Sequence, residues 1–340
     1  MDRKLTWGIM GAASIARRAV IPGLQESRLN VVKALASRDV NKAAQMAEEF
    51  GIGQTYGSYE ELLEDESIEA VYIPLPNHLH REWAIRALHA GKHVLCEKPI
   101  ALTAQEAEEM AAAAKSSGQL LAEAFMYRHH PRYAMIRDII ASGEIGELRG
   151  IHSTFTFNSS GGREGFRFRQ ESGGGGLYDI GVYPITAARL LLGCEPEAAT
   201  VHAFFSPDHG NVDMMASGLL EFPGGVGLTF DCGMWGASRN TLEVLGTDGI
   251  IEVPNAFVAW ADRGANFFVT SKGSRREVEV PQVNHFTMEC DDFAEAALFG
   301  KPQKFTPDDA VSNMRVLEAC LRSARERSRV ALSPSPVVRA

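Results

Sequence analysis

The chain has 340 residues, 45% hydrophobic and 23% charged, with a formal net charge of -9; this suits two soluble domains and disfavours nucleic acid or an anionic membrane as partner. Five scattered cysteines, Cys96, Cys194, Cys232, Cys290 and Cys320, without a CxxC pair, argue against a disulfide framework or a zinc site, so a reducing, cytoplasmic setting is expected. The first ten residues carry no apolar run of signal-peptide type, and no run approaches bilayer length, so no transmembrane helix is expected.

The first half alternates. Leu5 to Met10 reads as a strand, and a Gly/Ala turn opens a helix through Ala16 and Val20. Asn30 to Ser37 is a second strand. Asn41 to Phe50 is helical and closes at Gly51, suited to a left-handed C-cap. Ala70 to Pro74 is a strand, Leu79 to Ala90 a helix ended by Gly91, and His93 to Glu97 a strand. Thr103 caps a helix to Ser117 that stops at Gly118, and Leu120 to Ala124 is a strand again. This alternation predicts an α/β Rossmann domain, a parallel doubly wound sheet, over residues 1–124.

The second half is strand-rich. His152 to Phe157, Ala199 to Phe205, Met214 to Phe222, Gly227 to Cys232, Thr241 to Leu245 and Gly249 to Val253 read as strands, several separated by Gly-containing turns. They predict an α+β domain over 125–335 with a large, mostly antiparallel, open-faced sheet. Asp308 to Ser328 has apolar residues at Val311, Met314, Leu317 and Leu321, a helical spacing; this C-terminal helix is a candidate to pack back on the first domain. The tail from Ser333 contains proline and is expected to lie loose.

The first strand runs into Gly8-Ile9-Met10-Gly11-Ala12-Ala13-Ser14-Ile15-Ala16. A GxGxxG/A fingerprint falls on Gly11, Ala13 and Ala16, with alanine at the middle position at the cost of one methyl of close approach. The turn opens a helix, whose N-terminal amides favour an anion. Gly11, Ala12, Ala13, Ser14 and Ile15 are therefore candidate dinucleotide contacts. The second strand ends at Ser37-Arg38, where an NAD enzyme tends to carry Asp or Glu for the ribose hydroxyls. Serine and arginine suit a 2′-phosphate. Asp39 follows and would accept from a 2′-OH if the register slips by one. NADP(H) is the favoured cofactor and NAD(H) the alternative.

Further along stand Pro76-Asn77-His78-Leu79-His80, then Ala90-Gly91-Lys92-His93-Val94-Leu95-Cys96-Glu97-Lys98-Pro99, then Gly174-Gly175-Gly176-Leu177-Tyr178-Asp179-Ile180-Gly181-Val182-Tyr183, then Leu245-Gly246-Thr247-Asp248-Gly249. With the nucleotide turn, these five motifs in order resemble the Gfo/Idh/MocA oxidoreductase family over nearly the whole chain. Tyrosine at 183, where many members have histidine, is similar to the branch that includes dihydrodiol and NADP-dependent D-xylose dehydrogenases. The resemblance implies a hydride transfer between nicotinamide and a sugar or vicinal-diol substrate. It also implies a homodimer through the open face of the second sheet.

The residue roles follow from that resemblance and from what the chemistry needs. The cofactor carries the hydride; the protein supplies position, charge and a route for the proton. Lys98 follows a strand end and is expected to hydrogen-bond the reacting oxygen, or to act as the base itself. Tyr183 alone is a poor base, with a phenol reference pKa near ~10; a neighbouring Lys98 ammonium would favour its phenolate. Asp179, four residues earlier, shares its helix face and either orients substrate hydroxyls or caps the helix to Leu192. Pro76 and Asn77 are expected at the cofactor. Glu97 is expected at the cofactor ribose or as a structural partner, and His80 near the ribose or in a structural role. Arg128 is expected at cofactor or substrate. Arg163, Arg167 and Arg169 either reach substrate or lie in a solvated loop. His129-His130 do not share a helix face, and no metal is expected. The competing functions are a cofactor-loaded sensor without turnover and a reductase of another carbonyl or imine. Retention of both Lys98 and Tyr183 argues against the sensor.

Overall fold

A computed structural model describes residues 3–258 and 264–333. The chain divides into two compact units. One runs to His129 and takes in Asn284–Val311; the other holds His130–Val283 and the chain from Ser312.

The first unit opens with β1 (Leu5–Met10), α1 (Ile21–Glu26), β2 (Asn30–Ala36), α2 (Val40–Phe50), β3 (Gln54–Tyr56) and α3 (Tyr59–Glu64). It continues through β4 (Ala70–Ile73), α4 (His80–His89), β5 (His93–Glu97), α5 (Ala104–Ser117) and β6 (Leu121–Ala124). Strands β1 and β4 are apolar and almost wholly buried, as strands covered on both faces must be. Caps set the helix ends. Asp39 accepts from Lys42 N at 3.2 Å, Ser58 from Glu61 N at 3.2 Å and Thr103 from Glu106 N at 3.1 Å. Gly51 and Gly118 take the left-handed C-cap conformation. The strands lie parallel in the order β3-β2-β1-β4-β5-β6. The order reverses between β1 and β4, and ligands bind open α/β sheets at such a point, beyond the carboxyl ends of the strands.

The second unit contains α6 (Pro131–Ala141), β7 (Leu148–Asn158), α7 (Val182–Leu192), β8 (Ala198–Ser206), β9 (Val212–Phe222) and β10 (Val226–Gly233). Then come β11 (Trp235–Gly246), β12 (Gly249–Pro254), β13 (Phe267–Ser271) and β14 (Ser274–Val278). Its nine strands run β14-β13-β12-β11-β7-β10-β9-β8-β15, with β15 (Val330–Ala331) at one edge. Every pairing is antiparallel except β7 with β10. Buried Val201 stands between exposed Thr200 and His202 on β8, and exposed His152 between buried Ile151 and Ser153 on β7. One face is covered and the other open, as the strand pattern predicted.

After β14, α8 (His285–Phe299) belongs to the first unit. Phe293 meets Trp7 with ring centroids 5.3 Å apart, and Asp291 accepts from Ser27 Oγ and from Asn30 Nδ2. The sequence reading placed this segment in the second domain and offered the last helix as the one to pack back. In the structure α8 makes the return. The last helix, α9 (Pro307–Glu326), starts in the first unit and continues in the second. The α8 sequence interrupts its apolar residues with Glu289, Asp291 and Asp292, which hides the helical stripe. No helix among the described residues is long and apolar enough to cross a membrane. Most of the tail expected to be loose lies outside the described residues.

Candidate active site

The candidate cofactor residues of the first unit gather beyond the carboxyl ends of its strands. Gly11 follows β1, takes φ 121°, and donates its N–H to Ala36 O at 2.8 Å. A Cβ there would come within 3.1 Å of Leu75 Cδ2, so only glycine makes this turn without strain. Helical structure begins at Ser14, and Ala12, Ala13, Ser14 and Ile15 all reach the surface, while Ala16 is fully buried. The first N–H groups of a helix have no partner within it. Here the residues at the helix start reach the surface, as a cradle for a pyrophosphate requires.

At the end of β2, Ser37 Oγ accepts from Asp39 N at 3.1 Å. Arg38 is exposed and faces Tyr59: burial pushes that phenol up, while the charge and hydrogen bond of Arg38 pull it down. Asp39 caps α2. Its carboxylate is therefore engaged with the helix, and Ser37 and Arg38 are the polar groups left at the strand end. This arrangement fits a ribose 2′-phosphate better than a free ribose hydroxyl.

Pro76 and Asn77 begin a short helical turn beyond β4, and Glu97 ends β5. Tyr72 OH donates to Glu97 Oε1 at 2.6 Å, and Lys98 N donates to Glu97 Oε2 at 3.3 Å. Glu97 thus acts as a structural partner of the turn. Lys98 is half-buried, and its bond to Pro99 is cis. His80 is fully buried, with Nδ1 2.9 Å from Pro99 O and Nε2 2.7 Å from Leu75 O. Burial, with the Lys98 charge nearby, pushes its imidazole down to about 4. The neutral ring donates to one of the two carbonyls and braces the turn from inside, rather than facing a ribose. Glu123 completes the brace by accepting from Ile100 N at 2.8 Å; nothing in the local sequence marks that role.

Arg128 is also turned inward. It pairs with Asp309 and stacks over Phe305 at 3.8 Å, which anchors the start of α9. The adjacent histidines diverge. His129 pairs with Asp292, while His130 Nδ1 accepts from Arg132 N at 3.2 Å. Among the described residues no cluster of His, Cys, Asp or Glu is placed to hold a metal.

In the second unit, residues 177–181 form a π-helical turn that runs directly into α7. Asp179 lies inside that turn, so it does not cap the helix. Its Oδ2 accepts from Arg167 Nε at 2.8 Å, and the neighbouring carboxylate holds the Arg167 guanidinium above its usual range. Tyr183 is 5% exposed and packs against both Phe155 and Phe257, at centroid distances of 5.2 and 5.5 Å, while those two rings stack on each other at 5.4 Å. The structure therefore groups Arg167, Asp179 and Tyr183. Arg163 is engaged within the unit, donating to Ser160 O and Gly162 O at 2.6 and 2.8 Å and meeting His209 Nε2 at 2.7 Å. Arg169 enters through its carbonyl, which accepts from Gly174 N at 2.9 Å.

Comparison with known proteins agrees with this fold. Residues 5–125 match the family model described as an oxidoreductase family with NAD-binding Rossmann fold, and residues 133–252 match the GFO/IDH/MocA C-terminal domain. An uncharacterized oxidoreductase of Rhizobium meliloti is 40% identical over 94% of this chain and 96% of its own. A D-xylose 1-dehydrogenase (NADP+) of Haloferax volcanii is 35% identical over 96% of this chain and 100% of its own. The crystal structure of a 3-ketoreductase from Actinomadura kijaniata with NADP and TDP-benzene superposes with a TM-score of 0.89 at 34% identity, covering 94% of this chain and 98% of the other.

Proposed function

This chain belongs to the Gfo/Idh/MocA oxidoreductase family, and from that premise we propose that it is an NADP(H)-dependent enzyme acting on a sugar or vicinal diol, or on the corresponding carbonyl compound. The observation that carries the reading is the placing of Gly11, Ser37-Arg38 and Glu97-Lys98 at the carboxyl ends of β1, β2 and β5. The turn at Gly11 would receive the pyrophosphate, and Ser37 with Arg38 the 2′-phosphate. A relative named as NADP-dependent and a similar structure holding NADP support the choice of cofactor.

When bound, the nicotinamide supplies or accepts the hydride. The chain has to manage a proton and a developing charge on the reacting oxygen. The Lys98 ammonium stabilises that oxygen as it becomes alkoxide-like. Tyr183 OH passes the proton. Asp179, steered by Arg167, accepts hydrogen bonds from neighbouring substrate hydroxyls. Phe155 and Phe257 hold the Tyr183 ring, so the rotamer needed for proton transfer is fixed before substrate arrives.

The test is absorbance at the nicotinamide band. NADP+ is supplied with D-xylose, other aldoses and a trans-diol, and NADPH with keto sugars. Tyr183→Phe keeps the ring and removes the hydroxyl. Its kcat should fall by about 10²- to 10⁴-fold, with NADP(H) affinity within a few-fold of wild type. Near-normal turnover by Tyr183→Phe would remove the proton from Tyr183. Absence of turnover by the wild-type protein across the panel, with NADP(H) still bound, would favour a sensor.

A further inference from the structure

Asp213 is the second residue of β9 and is 2% exposed. A carboxylate so deeply buried needs partners. Its Oδ2 accepts from Leu177 N at 2.6 Å. The N–H groups of Gly176 and of Asp213 itself also stabilise its charged form, and Arg325 on α9 adds positive charge. These donors include the opening of the helical segment that carries Asp179 and Tyr183, where backbone N–H groups lack intrahelical partners. A negative charge belongs there, and a strand 36 residues further on supplies it.

The glycine run has its explanation at the same place. A Cβ on Gly175 would stand 2.0 Å from Asp213 Oδ1, and one on Gly176 would stand 3.0 Å from Gly233 Cα. Gly175 also has φ 112° and donates its N–H to Arg167 O at 3.0 Å. A side chain at Gly175 would push the carboxylate away from the helix start, and one at Gly176 would crowd the β10 backbone at Gly233.

We propose that Asp213 is a positioning residue for Tyr183: its ionised carboxylate clamps the open N–H groups at the start of the 177–192 helical segment and sets where Asp179 and Tyr183 stand. The proposal rests on the reading of Tyr183 as the proton-transfer group. Arg167, which sits beside the same loop, is already paired with Asp179, so it does not serve Asp213.

The clamp titrates in the working range. Burial pushes the Asp213 carboxyl up from its usual 3.8 to about 7, against the pull of the three N–H groups and Arg325. Cys232 on β10 also faces it; burial, reinforced by the Asp213 charge, pushes that thiol well above its usual range, so it stays neutral. The native state thus retains a proton that the unfolded chain releases. The stability this proton confers is complete below about 3.8 and is lost as pH rises through about 7. The clamp has the opposite dependence, tightening as the carboxyl ionises. Global stability falls with pH while local order at residues 175–181 rises, a divergence that a merely structural carboxyl would not produce.

The experiment is amide hydrogen exchange over residues 173–183 in the full chain, from pH 6 to 8.5, corrected for intrinsic rates. In wild type, protection at Gly176 and Leu177 should rise about tenfold or more, the worth of a hydrogen bond to a charged acceptor. Asp213→Asn should show no such rise. With NADP+ and D-xylose, kcat of Asp213→Asn should fall about tenfold or more with KM nearly unchanged, and the wild-type limb near pH 7 should vanish. Flat wild-type protection across the range would overturn the proposal, and that arm needs no variant. So would Asp213→Asn with altered protection but the wild-type kcat profile. The exchange arm uses no substrate: if it holds while Tyr183→Phe turns over normally, the reading of Tyr183 fails and the clamp does not.

Discussion

Two glycine-bearing turns introduce helices in this molecule, and they use glycine for opposite purposes. The turn at Gly11 has one obligatory glycine followed by Ala12, Ala13, Ser14 and Ile15, all of which reach the surface. No large side chain stands at Ala12, Ala13 or Ser14, at the helix start. The run from Gly173 to Gly176 is buried. At Gly174, Gly175 and Gly176 a Cβ would meet Arg167 O, Asp213 Oδ1 or Gly233 Cα within about 3 Å. There the space is already filled by the protein's own groups. One helix start is accessible from the surface; the other has an internal carboxylate. The sequence motif is similar in the two, and only the surroundings tell them apart.

Substitutions that add bulk should separate the two cases. Gly175→Ala should cost roughly 3 kcal/mol or more of folding stability, since it combines a disfavoured backbone conformation with loss of a charged hydrogen bond; urea unfolding would measure it. A loss under 1 kcal/mol would mean that the carboxylate can retreat, and the contrast would weaken. Arg38→Ala tests the open turn at its far end. It should weaken NADP(H) binding about 10- to 100-fold, as a charge-assisted phosphate contact predicts, and leave NAD(H) binding unchanged. Equal losses for both cofactors would remove the 2′-phosphate from Arg38. The smallest effect concerns Ala13→Leu. Its stability should stay within about 0.5 kcal/mol of wild type, while NADP(H) affinity falls about tenfold because the larger side chain keeps the pyrophosphate off the backbone. Calorimetric titration beside thermal unfolding reads both quantities.

Local signals carried much of the fold. Thr103, Gly51 and Gly118 act as the caps their residue types predict, and the strand–helix alternation gave the parallel sheet of the first unit. The second sheet was legible from its alternation and turns. What escaped depends on partners distant in sequence. α8 packs on β1, α1 and β2 residues more than 250 positions earlier, and nothing near Phe293 points to Trp7. Asp213 follows Gly210, Asn211 and Val212 and reads as a polar residue beside a turn; its partner is the glycine run. His80, Glu97 and Arg128 are polar residues close to the carboxyl edge, and residue type alone does not tell an inward brace from a ligand contact. The π-helical turn at 177–181 hides in the same way, because an i, i+4 spacing reads as ordinary helix.

The return of α8 to the first unit has a consequence during synthesis. When residues 1–129 have emerged from a ribosome, the parallel sheet can pair, yet the face around Trp7 is still bare and the polar groups of Ser27 and Asn30 still lack Asp291. The whole nine-stranded sheet, apart from its last short strand, is made before Phe293 appears. The first strand of the parallel sheet therefore waits for a helix made after the second sheet, and the Trp7 indole gains its Phe293 cover only then.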